Sequence, residues 1–199
     1  MKLCVALDDF SEEIMGDKEW KVLLDLKKEY PNLKITMFTI PGQCSREWLL
    51  KMSKERHWIE MGIHGDKHIR KEFDINNVIA SKVSLWFTSF NGMTLYKAPW
   101  WDLELSQFND LHKWGMKVAT NKTNDFKGDY VYDDGREVIK DICYELDNGV
   151  YTWHGHVQSQ RKANPHNPNG LPDVVDLFKK HISKDTQFMF VSEVIENGS

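Results

Sequence analysis

Two adjacent carboxylates, Asp8 and Asp9, end a short apolar run, and two imidazoles, His64 and His68, follow another at i, i+4 spacing. One carboxylate and two imidazoles can hold a divalent ion and leave positions open for water and substrate. Adjacent acids at the end of a buried strand also need relief, because desolvation and mutual repulsion disfavour both charges unless a cation or hydrogen bonds answer them. Further polar clusters close three more apolar runs: Lys97-Ala98-Pro99-Trp100-Trp101-Asp102, Asn121-Lys122-Thr123-Asn124-Asp125 and His154-Gly155-His156. Carboxylates and imidazoles thus recur at equivalent places, which a chance scatter of 8 histidines would not give.

Each piece also has an ordinary reading. Asp8-Asp9 could cap a helix starting near Ser11. An HxxxH spacing is common among surface histidines, and becomes a ligand pair where the segment turns helically and both rings face one ion. Trp100 and Trp101 suit a buried core, or, beside a polar site, an apolar wall for a sugar ring. Asp133-Asp134-Gly135 reads as a surface turn, since Asp-Gly is a turn signal. Ser159–Pro172, with Pro165, Pro168, Gly170 and Pro172, reads as a lid or binding loop, or as a plain surface connection.

The elements that must position these groups alternate. Apolar or β-rich runs predict strands at Lys2–Leu7, Ile35–Ile40, Trp58–Ile63, Leu95–Lys97, Lys117–Thr120, Val150–Trp153 and Phe188–Val191. Helical periodicity predicts Glu19–Tyr30, Ser45–Arg56 with Ser45 as N-cap, Ile75–Phe90, Glu104–Trp114 closed by Gly115, Val138–Leu146 and Asp173–Ile182. Such alternation argues for parallel strands with helices outside, closing into a distorted (β/α) barrel of seven or eight strands. In barrels of that kind chemistry collects at the carboxyl ends of the strands, where the polar clusters fall.

At 199 residues, with 41% hydrophobic and 28% charged content, the chain is expected to form one domain over 1–199. A net charge of −4 without a basic stripe argues against nucleic-acid binding through phosphates. Three scattered cysteines, Cys4, Cys44 and Cys143, make neither a disulfide framework nor a thiolate zinc site. No run approaches the ~20 apolar residues of a membrane span, and the first residues do not form a signal peptide, so a cytoplasmic location is expected. Oligomeric state is not legible.

Taken together these residues resemble the polysaccharide deacetylases of the NodB-homology type, carbohydrate esterase family four, in a divergent form. The resemblance runs from Lys2 to about Val194. It rests on LDDF at the first strand end, ITMFTIPG at the second, EMGIHGDKH for the His-Ser/Thr-x-x-His motif, and FMFVSEVI near the end. It implies a NodB-type distorted barrel and metal-dependent removal of acetyl groups from a sugar or oligosaccharide. It implies Asp9, His64 and His68 as ligands of a divalent ion, Zn²⁺ foremost, with Co²⁺, Ni²⁺, Fe²⁺ and Mn²⁺ accepted by the same set. Asp8 would be the general base taking a proton from the attacking water, and His154 or His156 the acid, oriented by Asp125. Lys97-Ala98-Pro99-Trp100 corresponds to the family's Arg-x-Pro-aromatic motif, with Lys97 keeping Asp8 ionised and Pro99, Trp100 and Trp101 facing substrate. Gly65 stands where the family has Ser or Thr, Lys97 where it has Arg, and Thr152 where it has Leu. Asn124-Asp125-Phe126 meets the fourth motif only in part. The alternatives are a small non-sugar amide as substrate, or a carbohydrate-binding homologue with impaired catalysis. Oxygen chemistry on Fe(II) ranks last, since only the ligand set supports it.

Overall fold

The computed structural model describes residues 1–87, 95–158 and 171–197. The elements, in chain order, are β1 (Lys2–Phe10), α1 (Asp17–Glu29), β2 (Ile35–Thr39), α2 (Arg46–Met52), β3 (Ile59–Ile63) and α3 (Ile75–Phe87). Then come β4 (Leu95–Lys97), α4 (Leu105–Lys113), β5 (Lys117–Thr120), β6 (Tyr130–Val131), β7 (Gly135–Ile139) and β8 (Cys143–Leu146). Last are β9 (Val150–His156), α5 (Leu171–His181), β10 (Gln187–Met189) and α6 (Val191–Asn197). One 10-stranded sheet runs β6-β5-β4-β3-β2-β1-β9-β8-β7, with β10 on β1. All its pairings are parallel except β9–β8 and β8–β7, so that β8 alone runs against the other strands.

Alternation along the strands sorts side chains into two layers. Leu3, Val5 and Leu7 of β1 pack outward with Leu23, Leu49, Val78, Leu85, Leu111 and Phe178 of the helices. Cys4 and Ala6 face the other way and join Phe38, Leu95, Ala119, Tyr130, Val150 and Met189, with Val191 and Val194 of α6. That inner layer is the concave side of a curled sheet, the distorted barrel expected from the alternation. Small residues permit the curl: a Cβ on Gly62 of β3 would stand 2.8 Å from the Phe38 ring and 3.2 Å from Leu95 Cβ.

Local chemistry accounts for the element ends. Ser45 accepts the Trp48 N–H and starts α2. Glu104 and Gln107 form a reciprocal capping box on α4, and Gly115, at φ 68°, ends it in the left-handed region. The segment Val138–Leu146 is not the expected helix but the β7–β8 hairpin. Its i, i+3/i+4 apolar residues belong to two strands, turned at Asp141 (φ 57°) and tied by the Arg136–Glu145 ion pair and the Tyr144–Glu137 hydrogen bond. The final run is also shorter than expected. β10 stops at Met189, and Val191 opens α6, where its N–H donates to Thr36 Oγ1 at 2.9 Å. Residues 88–90 of the expected helix Ile75–Phe90, and most of the expected loop Ser159–Pro172, lie outside the described residues.

Candidate metal centre

The inward-facing rows continue past the core to the carboxyl rim. Cys4 and Ala6 lead to Asp8, Leu95 leads to Lys97, Gly62 leads to His64, and Thr152 leads to His154 and His156. Parallel pairing sets His154 beside Ala6 and His156 beside Asp8. β1 continues through Phe10, so Asp8-Asp9 caps no helix.

Strict alternation would send Asp9 outward, into the apolar layer under the helices. It does not go there. Asp9 adopts φ 64°, and the β1–β2 register shifts between Leu7 and Phe10. Both carboxylates thereby stay at one rim, in a conformation Asp tolerates better than most residues. The His64/His68 pair also meets by another route than a helical turn. Gly65 (φ 68°) and His68 (φ 58°) fold the segment back, and Glu72 clamps it by accepting the Lys67 N–H at 2.9 Å and the His68 N–H at 3.2 Å.

Asp9 Oδ1 lies 3.6 Å from His64 Nε2 and 3.0 Å from His68 Nε2. Ligands ~2.1 Å from a tetrahedral ion stand ~3.4 Å apart, so these spacings bracket those of a shared ion. The His64 tautomer agrees. Its Nδ1 lies 3.0 Å from the Lys97 carbonyl, which can only accept, so Nδ1 carries the hydrogen and Nε2 presents a lone pair to Asp9. Burial lowers the His64 pKa despite Asp8 and Asp9, keeping the ring neutral as a ligand must be. A buried lone pair facing a carboxylate oxygen is unfavourable unless a cation lies between them. These residues fit a divalent ion. Gln158 steadies the carboxylate, its Nε2 donating to Asp9 Oδ2 at 2.6 Å.

Asp8 is served differently. Lys97 Nζ lies 2.5 Å from its Oδ2 and 3.2 Å from His154 Nδ1. The ammonium also sits 4.0 Å from the Trp101 ring centroid. Burial by itself would raise the Asp8 carboxyl, but Lys97, aided by His154, outweighs it and holds Asp8 well below the usual carboxylate range. Asp9 is likewise held down, against burial, chiefly by its hydrogen bond from His68. Burial pulls the Lys97 pKa down while Asp8 opposes it, and burial with Lys97 pushes His154 well below its ordinary value. Asp8 Oδ1 is buried with no hydrogen-bond partner among the described residues.

The rim is walled by aromatic rings. Trp101 stacks on Tyr132 with centroids 5.0 Å apart at 16°, and Tyr132 lies 4.8 Å from His154. Trp100, half exposed at φ 54°, lies 4.4 Å from the His68 ring, and buried Pro99 backs Gly65. Neither tryptophan is plain core. The structure thus brings together Asp8, Asp9, His64, His68, Lys97, His154, His156, Pro99, Trp100 and Trp101. Asp125 is not among them. It is exposed, in a shallow depression with Asn121, Lys122 and Phe126, and no hydrogen bond links it to His154 among the described residues. Its neighbour Asn124 supports the wall, donating to the Trp101 carbonyl at 2.9 Å. Asp133 is half-buried and accepts the Lys122 N–H, while Asp134 pairs with Lys127, as suits a turn.

Three contributors escaped the sequence reading. Gln158 extends the 154–156 alternation by one step, a signal that was present. Tyr132 extends the row of Tyr130 in the same way. Glu72 had no signal, since its role depends on the left-handed turn.

No protein-family model matches the chain, and no curated protein matches it. Solved structures share its fold. A peptidoglycan deacetylase of Bacillus subtilis superposes with a TM-score of 0.64 at 16% identity, covering 98% of this chain and 91% of its own. A family 4 acetyl xylan esterase of Clostridium thermocellum, in complex with a cobalt ion, gives 0.62 at 11%, covering 99% and 91%. A mutant of a CE4 family pseudoenzyme with restored enzymatic activity gives 0.65 at 11%, covering 98% and 67%. The NodB-type fold implied by the motifs is therefore borne out. No helix among the described residues is long and apolar enough to cross a membrane.

Proposed function

We propose that this chain is a metal-dependent deacetylase, one catalytic domain that hydrolyses an N-acetyl or O-acetyl group on a sugar or oligosaccharide. The observation that carries the reading is the convergence of Asp9, His64 and His68 beside an Asp8 that its own lysine keeps ionised. Deacetylases and esterases of acetylated polysaccharides with this fold support it. So does the cobalt ion of the Clostridium thermocellum esterase.

Asp9, His64 and His68 would hold the divalent ion, Zn²⁺ foremost. Such an ion supplies Lewis acidity toward a carbonyl oxygen and lowers the pKa of water toward ~7. Asp8 takes a proton from the attacking water, because Lys97 keeps it ionised and fixes its direction. His154 stands across Asp8, with Nε2 3.6 Å from Oδ2. Since its Nδ1 accepts from Lys97, the hydrogen sits on Nε2, the nitrogen turned toward Asp8. It gives that hydrogen to the leaving atom as Lys97 Nζ passes a proton to Nδ1 and Asp8 returns to Lys97 the proton taken from water, so the ring ends neutral; His156, next along the same row, is the second candidate. Half-exposed Trp100, beside the His68 ring, offers an apolar face of the kind a sugar ring covers, and the Trp101–Tyr132 stack walls the rim near His154. Three free thiols suit a reducing, cytoplasmic setting and a substrate met there.

A binding-only reading has one specific observation in its favour. Lys97 gives Asp8 a point charge where the resembled motif has the bidentate fork of Arg. The two readings separate in one experiment. The protein, loaded with Zn²⁺ or Co²⁺, is screened for acetate release from N- and O-acetylated sugars and from small amides. Release that vanishes in Asp8→Asn while the ion stays bound establishes the deacetylase. A bound ion with no release from any acetylated compound establishes the binding homologue, and release from small amides alone moves the substrate away from sugars.

A further inference from the structure

The rim holds two groups of the same composition. Asp9, His64 and His68 form one, and Asp8, His154 and His156 the other; in each, the ligand atoms lie within 4.8 Å of one another. All three members of the second group are buried. By residue type alone it is as good a divalent-ion site as the first.

What separates them is the company each keeps. The first group is met by a neutral amide, Gln158 Nε2 on Asp9 Oδ2. The second is met by an ammonium, Lys97 Nζ, 2.5 Å from Asp8 Oδ2 and 3.2 Å from His154 Nδ1. An ammonium has hydrogens to give and no lone pair. His154 Nδ1 therefore accepts, the neutral ring keeps its hydrogen on Nε2, and neither nitrogen has a lone pair left for an ion. Asp8 Oδ2 is likewise engaged. The position is built to stay: Lys97 is almost wholly buried, with the Trp101 ring at 4.0 Å and the Phe38 ring at 5.3 Å. A second divalent cation would meet fixed positive charge with little water to screen it.

We propose that Lys97 is a built-in cation that closes the Asp8–His154–His156 group to metal, so that this protein takes one divalent ion rather than two. The inference rests on reading Asp9–His64–His68 as the ion site. It makes Lys97 a selectivity residue, beyond its service to the Asp8 charge.

The test is metal stoichiometry. Co²⁺ is titrated into the wild type, Lys97→Met and Lys97→Gln, followed by calorimetry and by cobalt absorption. One equivalent is expected for the wild type and two for each neutral variant. His64→Ala should remove the wild-type equivalent but leave one in His64→Ala/Lys97→Met, and His154→Ala should return Lys97→Met to one. A wild type that binds two ions, or neutral variants that still bind one, would overturn the proposal. Neutral variants that fail to fold even in excess Co²⁺ would do the same, since an ion in that group would replace the lost charge. A wild type that takes no ion overturns the underlying site assignment, and this inference with it.

Discussion

Replacing Gly65 by Ser would restore the hydroxyl residue of the resembled His-Ser/Thr-x-x-His motif, yet here it should do harm. Gly65 sits at φ 68°, and its Cβ would lie 1.6 Å from Glu72 Oε1 and 2.8 Å from Pro99 Cγ. A side chain in the left-handed region costs ~1–2 kcal/mol. Glu72 must also swing away and surrender the N–H groups of Lys67 and His68. At a partly exposed carboxylate these are worth ~1 kcal/mol each, below the ~1.5–3 of a charged partner away from water. The sum is ~3–4 kcal/mol, and it falls on the turn that aims His68. Expressed as ion affinity this is ~100-fold or more, at 1.4 kcal/mol per tenfold. Calorimetric titration of Co²⁺ into Gly65→Ser measures it directly, with thermal unfolding recorded alongside. Glu72→Ala should recover only part of the loss. The double variant should fall short of the sum of the singles, because the clash and the lost clamp are one event. Gly65→Ser binding Co²⁺ within a few-fold of the wild type, with unchanged unfolding, would refute the account of why glycine stands there.

Two further outcomes follow from individual contacts. Gln158→Ala removes the amide that holds Asp9 Oδ2, and should weaken ion binding by ~10–100-fold, the usual scale for partners behind a metal ligand. Gln158→Glu should weaken it differently, with a pH dependence the alanine variant lacks, and equal affinity in all three proteins would deny Gln158 a positioning role. Glu60, which accepts from Thr36 Oγ1 at 2.7 Å, is the acid-side test of the inner layer. Burial raises its carboxyl pKa above the usual value. The folded state therefore holds that proton more tightly than the unfolded chain, and the associated stability is present at low pH and is lost as pH rises from the ordinary carboxylate range through the raised one. Glu60→Gln should match the wild type near pH 4 and be the more stable protein at pH 8 in denaturant unfolding; a difference of the opposite sign would contradict it.

The residue types determined the chemistry, and the apolar runs determined where it would stand. Asp8-Asp9, His64 and His68, and His154-Gly155-His156 each close a run whose alternation or length marks a buried strand. Parallel strands deliver all such ends to one rim. That much is local information, which one chain carries without its fold. The Val138–Leu146 segment carries a helix-like pattern as a hairpin because apolar residues spaced three and four apart also arise when two short strands face each other across a turn. Nothing local separates the two.

Only the tertiary structure decided how the groups are divided. Two adjacent acids on an alternating strand belong on opposite faces. The left-handed turn at Asp9, with the shifted β1–β2 register, keeps both on the rim and gives them different partners: imidazoles and an amide for Asp9, an ammonium for Asp8. Asp125, adjacent to the site by motif, ended outside it, while Gln158 and Glu72, which no motif flagged, ended in hydrogen bonds to Asp9 and to the His68 backbone. The physical reason is range. Chain patterning fixes which side of an element a residue takes, over a few residues. Partnership between charges depends on distances of a few ångströms between segments far apart in sequence, and only packing sets those.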